Sequence, residues 1–360
     1  MFTTDENITS SLHPLLMFLR INGFVLFCLH KIKTNEKIAY FEKTNLIIYI
    51  CHILYTGYAA KNAIKKFCMA PDTLRKVYAL VFSINAYALI GVNFIYDKYR
   101  NKKILQILRK IYIMDQKLRN SGVILDYKKL KNYSALIMFV EGACYMYFNF
   151  DTAIIFWVVL HRDPKVVVLD FLYYTVLHAT QVAMTGKCVT FFAIIENIYK
   201  HLNEKLERVE TSAKLMRDMQ CLYHDTYGLV MELNEVIAFQ LVVPFCVTFI
   251  MVVFHIYYQM VNSALQSSVT VLLWLSTVLV KIVLVIVQIQ KAISAANKIK
   301  QTVVKLSLTK NRQIRRELLH EEVKISGAKF FDVEISLVAQ FFGKAIQYLL
   351  ILYQSYKNFT

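Results

Sequence analysis

Proline and glycine are scarce, four and nine residues in a chain of 360. With so few breakers no Pro/Gly/Ser-rich linker divides the chain, and long helices are the natural element. Charge is scarce as well. Charged residues are 19% against 57% hydrophobic ones, and a mean hydropathy of +0.42 is too apolar for an ordinary soluble domain. The seven cysteines form no Cys-x-x-Cys pair and no Cys/His group at zinc spacing, so neither a disulfide framework nor a metal site is implied. There is no Gly-rich phosphate loop and no Gly-x-Ser-x-Gly, and "HEEVK" from His320 lacks the second His of a zinc protease helix. Neither an enzyme nor a cofactor is expected. The start, "MFTTDENITSSLHPLL", lacks the basic residues of a cleaved signal peptide, which leaves insertion to an uncleaved first helix.

Long apolar runs are plentiful. A span needs about 20 mostly apolar residues, and seven runs qualify: 42–60, 75–97, 134–158, 166–194, 236–260, 268–290 and 332–356. A shorter amphipathic segment at 15–29 contains Arg20, Asn22 and Gly23 and reads as interfacial or partly inserted. Tyr and Phe, 23 and 24 of them, suit membrane interfaces and pockets between helices. The fold expected is an all-α membrane protein in two parts, residues 1–41 with the interfacial helix and a seven-helix region at 42–360.

The net charge of +17 would suit nucleic acid in a soluble chain; in one this apolar it marks cytoplasmic loops. About 30 of the 42 Lys and Arg fall before the first span and in the connections 98–133, 195–235 and 291–331. The N-terminus is therefore expected in the cytoplasm and the C-terminus outside. The three lysines of 61–74 run against that bias. A G-protein-coupled receptor has the opposite orientation, and its Asp-Arg-Tyr and Asn-Pro-x-x-Tyr signatures are absent. A seven-helix receptor of that type, or a transporter, remains the alternative.

The connections themselves read as helical extensions. Ile104, Leu105, Leu108, Ile111, Tyr112 and Leu118 form one apolar stripe. Leu202, Leu206, Val209, Ala213 and Met216 alternate four and three apart, the spacing of a bundling seam or of a solvated helix with one apolar side.

Charges within spans are costly and usually have partners: Glu141, Asp151, Asp170, Lys187, Lys281 and Lys344. Lys187 and Lys281 fall in the cytoplasmic halves, where the side chain can snorkel, and Glu141 lies at a depth to pair with either. The outer halves combine aromatic rings with hydrogen-bonding groups: Tyr147, Asp151 and Trp157 in span three, Tyr173, Tyr174 and His178 in span four, His255 and Tyr258 in span five, and Trp274 in span six. Apolar walls with a few polar groups make a small-molecule pocket. Taken singly, His178 and His255 read as interhelical hydrogen-bond formers rather than as ligand contacts.

The last span carries the sharpest signal. Gln340, Lys344, Gln347, Ile351, Gln354 and Asn358 recur at intervals of three and four, so they share one face. A polar face on an apolar helix suggests a water-lined path, and copies arranged around a symmetry axis would supply its other walls. Ile351 could close such a pore by dewetting, with Gln354 at its outer mouth.

The ending "QYLLILYQS", Gln347 to Ser355, resembles the last helix of insect gustatory receptors, which carries Thr-Tyr, five apolar residues, then Gln-Phe. Tyr348 and Gln354 match; Gln347 stands in place of Thr and Ser355 in place of Phe. Upstream, "ELLHEEVKISGAKFFDVEISLVAQFFGKA" is similar to the family's run into that helix, and "LNEVIAFQLVVPFCVTFIMVVFHIYYQM" to its fifth span, with Asn234 in the matching place. The resemblance implies seven spans with a cytoplasmic N-terminus and a tetrameric, tastant-gated, non-selective cation channel in the plasma membrane of sensory neurons. It implies a last helix lining the pore through Lys344, Gln347, Ile351, Gln354 and Ser355, with Gln354 at the gate. It also implies an outward-opening pocket for a small-molecule tastant, and like subunits or other gustatory receptors as partners, in membrane lipid. With Ser355 in place of the family Phe, closure falls to Tyr353, Ile351 or Phe359, or to a heteromer. The departure from the sugar-sensing pattern points to a divergent receptor.

Overall fold

The computed structural model describes residues 8–21, 97–159, 161–208, 213–261, 268–307, 323–327 and 331–359, with isolated positions between 57 and 84. The expected spans at 42–60 and 75–97 lie almost wholly outside the described residues. In chain order the elements are α1 (Ile8–Ile21), α2 (Asp97–Asn120), α3 (Tyr127–Ile154) running into a π-helical turn (Ile155–Val159), α4 (Pro164–Arg208), α5 (Ala213–Val261), α6 (Ser268–Ser307), strands β1 (Ser326–Gly327) and β2 (Phe331–Asp332), and α7 (Ser336–Phe359).

Helices α4, α5 and α6 have 45, 49 and 40 residues. At 1.5 Å per residue each is roughly 60–75 Å long, about twice the 30 Å hydrocarbon thickness of a bilayer. Among the described residues four helices are long and apolar enough to cross a membrane: Pro164–Glu207, Gln240–Tyr258, Leu272–Thr302 and Ser336–Ser355. They match expected spans four to seven. Helix α3, which with its π-helical turn carries expected span three, is not among them; Glu141, Asn149 and Asp151 lower its mean hydropathy.

The deepest packing lies in the central and C-terminal parts of α4 and α6. Phe192, Ile194, Ile195 and Tyr199 of α4 and Ile286, Ile289 and Ala296 of α6 are completely buried. The apolar stripe read along 104–118 is buried too: Leu108 and Leu118 are 0% exposed, Leu105 and Ile111 1%. Leu202 and Leu206 of the expected seam are buried in the same core. The opposite edge of α2 is polar and faces α5 through three ion pairs. Lys103 meets Glu235 at 2.6 Å, Lys117 meets Asp225 at 2.6 Å, and Lys110 meets Glu232 between them. Lysines seven apart fall on one face, so the pairs form an antiparallel ladder.

The α2–α3 turn is locked by one side-chain cluster. Gly122 adopts φ 75°, a conformation open to glycine at no steric cost. Asp126 then caps α3 by accepting from the Lys129 amide at 2.9 Å. The Tyr127 hydroxyl donates to the buried Asp115 at 2.5 Å and accepts from Arg119 Nε at 3.1 Å, and the guanidinium lies 4.8 Å from the ring centroid. Burial, followed by the hydrogen bond to Asp115, pushes the Tyr127 phenol up to about 12.

Helix α1 begins at Ile8, seven residues before the amphipathic segment read from sequence, and residues 22–29 of that segment lie outside the described residues. It buries Ile8, Leu12, Leu15, Leu16 and Leu19, the spacing of one helical face. Ser11 donates to the Tyr127 carbonyl at 2.9 Å. Farther along, Leu15 approaches Gly186 of α4: a Cβ at Gly186 would stand 3.3 Å from Leu15 Cδ1 and 3.0 Å from Met138 Cγ and Sδ. Glycine at 186 lets three helices meet.

Candidate functional site

Two arrangements stand out, one on α7 and one between α3, α4, α5 and α6. Residues of α7 advance 100° apiece, and burial divides the helix into three faces. Phe341 and Ala345 are 8% and 5% exposed, and Leu349 and Leu352 are half-buried on the same side. Phe249 of α5 supports that side, edge-on to Phe341 at 5.3 Å and to Tyr348 at 5.9 Å. A third of a turn away are Phe342, Ile346, Leu350 and Tyr353, apolar and 38–58% exposed. The remaining face holds Gln340, Lys344, Gln347, Ile351 and Gln354, all exposed, with Ser355 exposed at its margin. Lys344 donates to Gln347 along it at 3.3 Å. So the polar face, the exposed apolar face and the packed face each take about one third of the helix.

The second arrangement is a polar ladder between α3 and α4. The helices run antiparallel, and side chains four or seven residues apart on α3 meet side chains three to five apart on α4 across the seam. Ser134 and Thr190 share a hydrogen bond at 2.7 Å; Thr185 donates to Glu141 at 3.2 Å; Tyr145 donates to Gln181 Oε1 at 2.7 Å. Higher up, Asn149 joins His178 Nδ1 at 2.9 Å and Thr175 at 3.3 Å. Lys281 of α6 reaches into the middle, donating to Gln181 at 2.6 Å and Tyr145 at 3.4 Å. Glu141 and Lys281 are 8% and 5% exposed, and no direct ion pair joins them. Lys281 therefore does not snorkel as expected; an amide and a phenol hold its ammonium inside the protein. Lys187, 2% exposed, is likewise buried. Asp170 is buried beside Arg162, 3.5 Å away.

Aromatic rings cover the His178 end of this ladder. His178 stacks on Tyr145, with centroids 4.2 Å apart and planes 8° off parallel, and Phe148 approaches it edge-on at 5.8 Å. Phe148 reaches Trp274 at 6.4 Å, and Trp274 meets His255 at 4.8 Å. Tyr174 lies 6.5 Å from His178, and Tyr173 lies 5.4 Å from Tyr174.

Five of the nine expected pocket residues, Tyr173, Tyr174, His178, His255 and Trp274, thus fall into one connected group, and Tyr258 is half-buried farther along α5. Tyr147 and Trp157 stand apart from it, 54% and 59% exposed and without ring contacts among the described residues, and Asp151 is half-buried on the same helix. Tyr145, Phe148, Asn149 and Gln181 were not singled out from sequence. Their signal was present: Glu141, Tyr145 and Asn149 recur every four residues on α3, a polar line that searching for lone charges does not reveal. The Thr152 hydroxyl continues that line, buried and without a hydrogen-bond partner.

A family model described as 7tm chemosensory receptor matches residues 12–359. Among solved structures, the chain is similar to the insect olfactory receptor OR5 from Machilis hrabei, with a TM-score of 0.76 and 13% identity over 96% of this chain and 97% of that one. The same receptor in complex with eugenol is similar with a TM-score of 0.77, at the same identity and coverage. No curated protein matches the chain. At 13% identity the likeness to the solved receptors is one of fold.

Proposed function

We propose that this chain, which belongs to the 7tm chemosensory receptor family, is a gustatory receptor. In this reading it is a tastant-gated, non-selective cation channel in the plasma membrane of sensory neurons, with its N-terminus in the cytoplasm and its C-terminus outside. The observation that carries the channel reading is the three-faced last helix. One face packs on Phe249, one is apolar and suits lipid, and the third is a polar line that nothing among the described residues covers. Hydrocarbon would penalise Gln and Lys on an uncovered face. Copies of the chain around an axis, four in this reading, satisfy that face by turning it toward water.

Lys344, Gln347, Ile351, Gln354 and Ser355 then line the pore. Ile351 lies in the middle of the polar face, where an apolar ring dewets the path, and Gln354 rings the mouth beyond it. Agonist binds at the aromatic end of the α3–α4 ladder, among Tyr173, Tyr174, His178, His255 and Trp274. Rings supply apolar contact there, and His178 and Asn149 supply directed hydrogen bonds. Tyr147 and Trp157, which are exposed, are left outside the pocket in this reading, and Asp151 is assigned to its rim.

An epitope tag after Thr360, stained on intact and then on permeabilised cells, tests the orientation. Staining of intact cells supports it; staining only after permeabilisation, with surface expression established independently, sinks both orientation and pore. Patch-clamp recording with a tastant panel follows. A Gln354→Ala variant at normal surface level should alter gating or ion selectivity, and unchanged currents would remove Gln354 from the gate.

A further inference from the structure

The last helix is steered by a short hairpin, and the hairpin is held by two amide side chains. Strands of two residues do not sustain themselves; β1 and β2 pair antiparallel through Ser326–Asp332 and Gly327–Phe331. Val333, directly after β2, donates its N–H to the Ile325 carbonyl at 2.8 Å. Val323, Ile325 and Val333 are 3%, 1% and 1% exposed, so the stem of the hairpin lies in the core. Burial obliges its remaining backbone groups to find partners. Asn234 of α5 accepts the Ser326 N–H at 3.2 Å, and Gln290 of α6 donates to the Val333 carbonyl at 2.6 Å. Because a carbonyl only accepts, Gln290 must present its NH2 there.

No slack lies between this point and the last helix. Leu337 and Val338 close the first turn of α7 onto the carbonyls of Glu334 and Ile335 at 3.0 and 3.1 Å. Beyond that turn α7 touches the other described residues along its one packed face. The helix that carries Gln290 also carries Trp274 and Lys281, both in the buried group described above. At 1.5 Å per residue they lie about 24 and 14 Å up the same rod.

We propose that Gln290 is the positioning residue that couples α6 to the pore helix: its bond to the Val333 carbonyl sets where the last helix enters the membrane, so a shift of α6 becomes a shift of the pore wall. Asn234 holds the opposite strand to α5 and fixes the pivot. The coupling rests on the channel reading above, whereas the mechanical tie itself does not.

The test uses the full-length assembly in lipid nanodiscs with three forms: wild type, Gln290→Leu, which loses the donor at similar size, and Gln290→Lys, which keeps one. Hydrogen–deuterium exchange across residues 333–343 reads the tie, and single-channel open probability without ligand reads its effect on the gate. Losing one such bond should speed exchange in that segment and shift open probability roughly five- to tenfold in Gln290→Leu, with Gln290→Lys within about twofold of wild type. A residue serving stability alone would change yield while open probability per channel stayed constant. Equal exchange and equal open probability in all three forms overturns the proposal, as does equal perturbation by Leu and Lys. If the wild type passes no current, the channel reading fails and exchange alone decides the tie. If Gln290→Leu does not assemble, Asn234→Leu against Asn234→Asp puts the same question to the other strand, with the same outcomes.

Discussion

Substituting Ile351 with Gln should leave the channel open. About half of this side chain, 49%, is exposed, and it sits in the middle of the polar face of the last helix. Full burial of an Ile is worth about 1.5–3 kcal/mol, so the exposed half resists water by roughly 1 kcal/mol per copy. Four copies at one level of a pore would add up to about 4 kcal/mol favouring the dry, closed state, close to a thousandfold in the open–closed ratio. Gln has a comparable reach and removes that resistance; Ile351→Val keeps most of it. In whole-cell recording at matched surface expression, Gln should raise ligand-free current at least tenfold and Val should change it little. Gln and Val indistinguishable from wild type would refute the placement of Ile351 at a dewetted gate. Increased current from both would mean that packing at residue 351, and not its polarity, holds the channel shut.

Three further outcomes follow from named contacts. Tyr127→Phe removes the donor to Asp115 and the acceptor for Arg119 inside a buried turn, and should cost about 1–3 kcal/mol, seen as a lower Tm by fluorescence-detected gel filtration; an unchanged Tm would show the cluster to be dispensable. His178→Phe keeps the stacked ring on Tyr145 and loses the bond to Asn149; it should raise the half-maximal tastant concentration about tenfold with maximal current retained, and an identical dose response would take His178 out of the pocket. Lys103→Gln, Lys110→Gln and Lys117→Gln together break the α2–α5 ladder. Its groups are roughly half-exposed, so each pair contributes no more than about 1 kcal/mol. The Tm loss should appear at low salt and fade near 0.5 M, and equal loss at both would rule out a screened ion-pair origin.

Some of this was written into the chain locally. A helix carries its side chains at a fixed 100° interval, so the polar face of α7 and the buried stripe of α2 could be read from spacing alone. Spans four to seven were likewise legible because hydropathy over 20 residues depends on composition and not on neighbours. Which face of α7 is covered, however, depends on where Phe249 stands, and Phe249 lies almost a hundred residues earlier in sequence.

Partner choice was decided by tertiary structure throughout. Lys281 could have snorkelled or paired with Glu141; the crossing of α6 against α3 and α4 set Gln181 and Tyr145 around it instead. Tyr147 and Trp157 looked like equals of His178 and Trp274, yet helix rotation turned the first two outward and the second two inward. Asn234 and Gln290 gave no local sign of meeting the same hairpin, because their carbonyl and amide partners are backbone groups, which every residue has. Spacing along one helix fixes which residues share a face; only the packing of several helices decides what that face meets.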